Sequence, residues 1–291
     1  MNFIPILNIE QFELEVPMSD FYSNEFDAHL EKNKDFFHKP HRHDFFLCVL
    51  FTEGSGTHEI DFNSFKVAPG SVFFLKPGQT HFWQFDTPPK GYIFFHTKDF
   101  FEIHFSSSKI EQFPFYYTQN SSPTLILNPK DLMTIEDRFK EINKEYTLNF
   151  AYKKQKISNL LNAVYIDLAR HYTEVSTAIS SSSFTYIETL RNLENLIEKH
   201  YLTSKNAQFY ADKLHITSKH LNRIVQTTLG KTTTHLITKR VILESKRLII
   251  HSNNTLSNIS ELVGFNDYTY FSKVFKANTG ATPVEFRKKY A

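Results

Sequence analysis

The sequence predicts an α+β chain of two domains, a small β-barrel with a helical pair appended and then an all-α domain. Three observations predict it. Between His41 and His96, short apolar and aromatic runs alternate with Gly and Pro turn signals, the texture of an antiparallel barrel or jelly roll. From Pro129 onward, apolar residues instead recur at steps of three and four, the period of amphipathic helices. Charge is also unevenly divided. From Phe184 onward 16 Lys and Arg face 8 Asp and Glu, a net of +8, whereas residues 1–183 hold 17 against 23, a net of −6, so the whole chain is only +2. A basic segment of this size suits phosphate contact, and an acidic one is repelled by DNA.

At 291 residues the length fits two domains. No apolar run is long enough to span a bilayer, and MNFIPILNIE does not read as a signal peptide. Cys48 is the only cysteine, which excludes an intrachain disulfide and agrees with a reducing compartment. The expected location is the cytoplasm, with no membrane partner. There is no catalytic triad, P-loop or dinucleotide fingerprint, so no cofactor is expected.

Residues 1–40 are mixed in texture. The barrel is assigned to 1–125, with strands at FFLCVLFT, Phe65 to Ala68, Ser71 to Leu75, His81 to Phe85 and Tyr92 to His96. Turns are expected at EGSG, Pro69-Gly70, Pro77-Gly78 and Pro88-Pro89. Most of the 30 Phe fill the core, and some can line an apolar effector pocket.

Over 126–175 a helical pair is expected, one helix carrying Leu132, Ile135, Phe139, Ile142 and Tyr146 on a single face, the other Ile157, Leu160, Leu161, Val164, Tyr165 and Leu168. These stripes can pack on the barrel or on the same pair in a second copy through an a/d seam. The serine-rich stretch Thr173 to Ser183 reads as a flexible linker, with the boundary at 176–183.

The segment 184–291 stays helical. Ala207 to Leu214 and a helix capped by Thr217 form a first helix-turn-helix at about 206–228, its inner face Leu221, Ile224 and Val225. A connecting helix of about 233–250 follows. A second unit at about 258–278 places Ile259, Leu262 and Val263 before Gly264, whose left-handed turn only glycine adopts cheaply. Asn266 or Asp267 caps the next helix, which buries Phe271, Val274 and Phe275.

The literal residues go further. The run GFNDYTYFSKVFK followed by TGATPxxFR resembles the signature of the AraC/XylS family of bacterial transcription regulators, and SKHLNR resembles the family's first helix-turn-helix. Ser260 stands where a small apolar residue is common, and Lys273 where arginine is. Lysine is a point charge without arginine's bidentate fork. PHRHD and PGSVFFLKPGQTH resemble the two boxes of the cupin fold, the sensor domain of many such regulators.

The resemblance implies a sequence-specific, effector-responsive activator. Its partners would be double-stranded DNA, a small-molecule effector, a second copy of the chain through the helical pair, and RNA polymerase. Base contact falls to Lys219, Asn222 and Arg223 in the first unit and to Tyr268, Thr269 and Lys273 in the second. Backbone contact falls to Ser218, His220, Gln226, Lys239, Arg240, Ser272 and Lys276, with Lys246 and Arg247 nearby. His41, His43 and His81 match three metal ligands of metal-dependent cupins, but the glutamate expected near Leu47 and Cys48 is missing, so a site would need three imidazoles or a further ligand such as His58 or His96. The favoured expectation is a metal-free effector pocket. The alternative is a metal-dependent cupin enzyme, an oxygenase or isomerase, working through the same histidines.

Overall fold

A computed structural model describes residues 4–12, 18–34, 37–103, 105, 109–117, 121–175 and 184–290, and internal contacts divide the chain into two units, 4–177 and 178–291. The linker expected at 176–183 lies outside the described residues.

In the first unit β1 (Ile6–Leu7) pairs in parallel with β3 (Arg42–His43). The main antiparallel sheet is built from β2 (Phe21–Glu25), β4 (Phe46–Ile60), β6 (Ser71–Leu75), β7 (His81–His96) and β8 (Thr124–Ile126), in the order β2-β7-β4-β6-β8. Strand β5 (Asn63–Val67) pairs with the far half of β4. Successive side chains point to opposite faces. Phe46, Cys48, Leu50, Val72, Phe74 and Phe94 therefore join one buried cluster, and Leu47, Val49, Phe51, Phe73, Leu75, Ile93 and Phe95 another. A sheet covered on both faces explains why FFLCVLF and SVFFL are uninterrupted apolar runs rather than alternating ones.

Two expected turns are not turns. Strands β4 and β7 run straight through EGSG and Pro88-Pro89, with register shifts between Phe51 and Glu53, Glu53 and Ser55, and Ser55 and Gly56. Bulges bend the strands there instead of ending them. Gly54, at φ +95°, lies against the two prolines so closely that a Cβ would stand 2.6 Å from Pro89 Cα.

Short helices α1 (Phe26–Lys32), α2 (Lys98–Glu102) and α3 (Pro114–Tyr117) border the sheet, and α4 (Pro129–Thr147) and α5 (Lys153–Val175) follow. Asn128 caps α4, accepting from the backbone N–H groups of Lys130 and Asp131. Ile135, Phe139 and Ile142, with Ile157, Leu160, Leu161, Val164, Tyr165 and Leu168, are buried in the first sheet cluster. Both apolar stripes are thus spent on the chain's own sheet, and the seam expected with a second copy is not available to those residues.

The second unit is entirely helical among the described residues: α6 (Phe184–His200), α7 (Ala207–Lys213), α8 (Ser218–Leu229), α9 (Thr233–His251), α10 (Leu256–Leu262), α11 (Tyr268–Thr279) and α12 (Pro283–Tyr290). It contains a repeat. Helix α8 begins at Ser218 and ends on left-handed Gly230, and α11 begins at Tyr268 and ends on left-handed Gly280. The turns before them match: Leu214 N–H donates to Tyr210 O and Ile216 N–H to Ala211 O, as Val263 does to Ile259 and Phe265 to Ser260. His215 (φ +56°) and Gly264 (φ +77°) hold the same left-handed place. Thr217 and Asp267 cap the helices that follow.

Leu262 is 52% exposed, because α10 turns Ile259 and Ser260 inward. Ser260 fits its small buried slot because its hydroxyl donates to Ser257 O at 2.7 Å. Helix α9 is 19 residues long, about 28 Å at 1.5 Å per residue. Among the described residues no helix is long and apolar enough to cross a membrane.

Candidate nucleic-acid interface and sensor pocket

On α8, Leu221, Ile224 and Val225 are buried and set the helix's rotation, which leaves Lys219, Asn222, Arg223 and Gln226 exposed and Ser218 and His220 half-buried. The Arg223 guanidinium donates to His220 Nδ1 at 2.9 Å, which holds its fork in place on the outer face. Asn222 is different. Its Oδ1 accepts from the backbone N–H of Thr233 at 3.0 Å and ties α8 to the start of α9. Bidentate reading of adenine uses the same oxygen, so the tie to α9 fixes the direction in which the Asn222 amide points.

On α11, Phe271 and Phe275 are buried, Thr269, Lys273 and Lys276 are exposed, and Tyr268 and Ser272 are half-buried. Tyr268 packs on the unit's core, its ring 6.2 Å from that of Phe271. Because α11 repeats α8, Lys273 occupies the place of Arg223, Thr269 that of Lys219 and Lys276 that of Gln226. The expected residues missed Tyr270, which is 61% exposed at the place of His220. Aligning the two turns would have found it. Lys219, Lys273 and Lys276 form no salt bridge among the described residues.

The connecting helix behaves otherwise. Lys239 is exposed, but Arg240 is 5% exposed, donates to both carboxylate oxygens of Glu198 at 2.6 and 2.7 Å and to Glu244 at 3.2 Å, and lies over the Tyr201 ring. Arg247 is also buried and paired with Glu244. A phosphate could reach either arginine only by stripping it from these carboxylates, so Arg240 and Arg247 are corrected from backbone contacts to core ion pairs. Lys246 lies over the Phe286 ring.

In the first unit, β3 brings His43 beside the first residue of β7, His81, and His41 exchanges backbone hydrogen bonds with His81. All three side chains are buried, and one ring nitrogen of each lies within 4.8 Å of the others. His43 Nε2 and His81 Nε2 are 3.4 Å apart. His41 Nδ1–H donates to Lys39 O at 2.8 Å. His58, from the far half of β4, joins the group with its Nε2 2.9 Å from His81 Nδ1. His96 does not join: it lies on the other side of the sheet, bonded to the Tyr165 hydroxyl at 2.8 Å. Leu47 takes the place where a carboxylate was missing, facing the cluster, and Cys48 faces away.

His41 and His43 border a cavity of about 10 Å³, which is room for roughly one water. Leu7, Phe12, Phe37, Trp83 and Phe95 wall it, together with His29, which no sequence pattern singled out. Burial pushes the pKa of His41, His43, His58 and His81 down, and that of His29 down to about 3. All five are therefore neutral imidazoles at neutral pH. The buried Nδ1 of His58 and indole N–H of Trp83 have no partner among the described residues.

Comparison with known proteins agrees with both halves of this picture. The profile of an AraC-like ligand binding domain matches residues 25–122, and that of a helix-turn-helix domain matches 210–289. The Msm operon regulatory protein of Streptococcus mutans is 25% identical over 99% of each chain. The HTH-type transcriptional activator RhaR of Cronobacter sakazakii is 21% identical over 86% of this chain and 87% of that one. The HTH-type transcriptional regulator YisR of Bacillus subtilis is 34% identical, over only 32% of each chain.

Proposed function

Because the chain belongs to the AraC family of transcription regulators, we propose that it reads one DNA site with two helix-turn-helix units, α7 with α8 and α10 with α11. The observation that carries this is the repeat: each unit presents a cation, Arg223 or Lys273, at the same place on the exposed face of its second helix. Arg223 and Lys273, with Lys219 and Thr269, are the base readers; Gln226, Lys239 and Lys276 contact the backbone. Tyr268, Ser218, His220 and Ser272 support these from half-buried positions.

The first unit senses a small-molecule effector, and effector binding shifts the population of states competent for DNA. The likeness to an activator over 86% of this chain supports activation, through RNA polymerase, as the outcome. A cytoplasmic homodimer completes the reading. Its interface would use the outer faces of α4 and α5, where Met133 and Ile166 are exposed. We read the histidine cluster as part of a sensor rather than as a catalytic centre, since the relatives are regulators.

The test is selection of the full chain on randomised duplex DNA at near-physiological salt. Two short elements about 10 base pairs apart are expected, one relaxed by Arg223→Ala and the other by Lys273→Ala. Absence of any enriched element would overturn the reading.

A further inference from the structure

We propose that Lys205, in the loop between α6 and α7, is a positioning residue for DNA reading: it braces the second helix-turn-helix against the first and so restricts the separation of the two base elements that the chain accepts. The role of this brace rests on the two-unit reading above; its existence does not. Helix α9 is the obvious connection, since α7, α8, α10 and α11 all pack on it. One helix is a weak constraint on rotation about its own axis, and the loop supplies a second point of attachment. The Lys205 ammonium donates to the carbonyl oxygen of Gly264, in the turn between α10 and α11, and lies 4.6 Å from the centre of the Phe265 ring. Among the described residues it forms no ion pair, so the carbonyl and the ring hold it. The oxygen it meets lies just past the C-terminus of α10, where the helix dipole favours a cation.

The glycine shows that this approach is built in. His215 takes the left-handed place in the first unit's turn at φ +56°, so that backbone conformation alone does not call for glycine. At Gly264 a Cβ would stand 2.2 Å from Leu202 O and 2.5 Å from Lys205 Nζ, so what calls for glycine is the loop lying against the turn. The loop is itself anchored to the first unit. The Tyr210 hydroxyl donates to Ser204 O at 2.8 Å, and the Tyr201 ring lies 3.9 Å from the Arg240 guanidinium, which is paired with Glu198 on α6. Continuous contacts thus run from α7 and α9 through the loop to the second turn. Moving the second element by one base pair asks the second unit to shift about 3.4 Å and turn about 35° relative to the first, and either motion breaks the Lys205 contact. The competing role for a basic residue here is a direct phosphate contact, and the two roles differ in salt dependence.

The test uses the full chain on duplexes carrying the two selected elements at their preferred spacing and at one base pair more or less. The native chain should bind the altered spacings about 10-fold more weakly, the scale of one charge-assisted hydrogen bond discounted for the half-exposure of Lys205. In Lys205→Met, which keeps a stem over Phe265 but has no donor, the difference should shrink to under about 3-fold. Lys205→Arg, which can donate to the same oxygen, should restore it. Far-UV circular dichroism shows that each variant is folded. A spacing preference unaltered in folded Lys205→Met overturns the proposal, and so does a salt slope reduced by about 1, the mark of a phosphate contact. A second measurement needs no DNA. Spin labels on Thr227→Cys and Ala277→Cys, exposed positions at equivalent places on α8 and α11, should give one narrow distance distribution, which Lys205→Met broadens; Cys48 is buried from the reagent. Equal widths overturn the brace even where both units read DNA. A broadened distribution in a chain that selects no two-element site upholds the brace and overturns the two-unit reading instead.

Discussion

Replacing Gly264 by alanine should unhinge the second helix-turn-helix selectively. At φ +77° an L-residue is strained, and the new Cβ would stand 2.2 Å from the carbonyl oxygen of Leu202, a backbone atom that cannot rotate away. The left-handed conformation costs about 1–2 kcal/mol. Relieving the clash by moving backbone about 1 Å adds a comparable amount, as overpacking does, and disturbs the hydrogen bond from Lys205 Nζ to Gly264 O. A total near 3 kcal/mol is a large share of the 5–15 kcal/mol typical of a domain, and lowers the midpoint of a unit this size by about 10 °C or more. The two units can be followed separately, because Trp83, the only tryptophan, lies in the first. Far-UV circular dichroism should show the helical transition moving down while the Trp83 fluorescence transition stays in place. His215→Gly, at the equivalent turn with φ +56°, should be neutral or stabilising by up to about 1 kcal/mol. A loss of less than about 1 kcal/mol in Gly264→Ala would refute the close-approach argument.

Arg240→Ala should destabilise the helical unit by about 2–3 kcal/mol, less than a fully buried pair because Glu198 is 54% exposed and rehydrates. The slope of log affinity against log salt should not change, and a shallower slope would restore Arg240 as a phosphate contact. Lys276→Ala should reduce that slope by about 1 and weaken all DNA sequences alike, whereas Arg223→Ala should cost about 1–3 kcal/mol on the selected site only; equal losses on selected and random DNA would refute base reading by Arg223. Acid should unfold the first unit before the second. His96 and His29 have folded pKa values lowered to about 4 and about 3, so below pH 6.5 the unfolded chain binds more protons and stability falls with falling pH, by up to about 3 kcal/mol for His96 by pH 4. No histidine of the second unit is buried among its described residues. A Trp83 fluorescence midpoint that is the same at pH 7 and pH 5 would refute this.

Punctuation by glycine and proline was legible where one meaning was available and misleading where two were. Pro69-Gly70 and Pro77-Gly78 end strands as expected. EGSG and Pro88-Pro89 carry the same local propensities but face each other across the β4 and β7 ladder, where partner hydrogen bonds on either side make bulges cheaper than turns. Among the candidate DNA contacts, Lys239 and Arg240 are adjacent cations on one helix. Only the carboxylate of Glu198 on α6 decides that Arg240 turns inward.

What the amino-acid sequence determined by itself was whatever depends on neighbours a few residues apart. The buried stripes of α4, α5, α8 and α11, the cap at Thr217 and the left-handed stop at Gly264 belong here, because helical period and terminal hydrogen bonds are local. The tertiary structure alone decided which polar groups are already satisfied: Asn222 by Thr233, Arg240 by Glu198 and His96 by Tyr165. It also decided that His58 joins His81, and that His29 shares a small cavity with His41 and His43. Those outcomes pair residues that are distant along the chain, and a buried polar group takes its role from the partner that pays for its lost water.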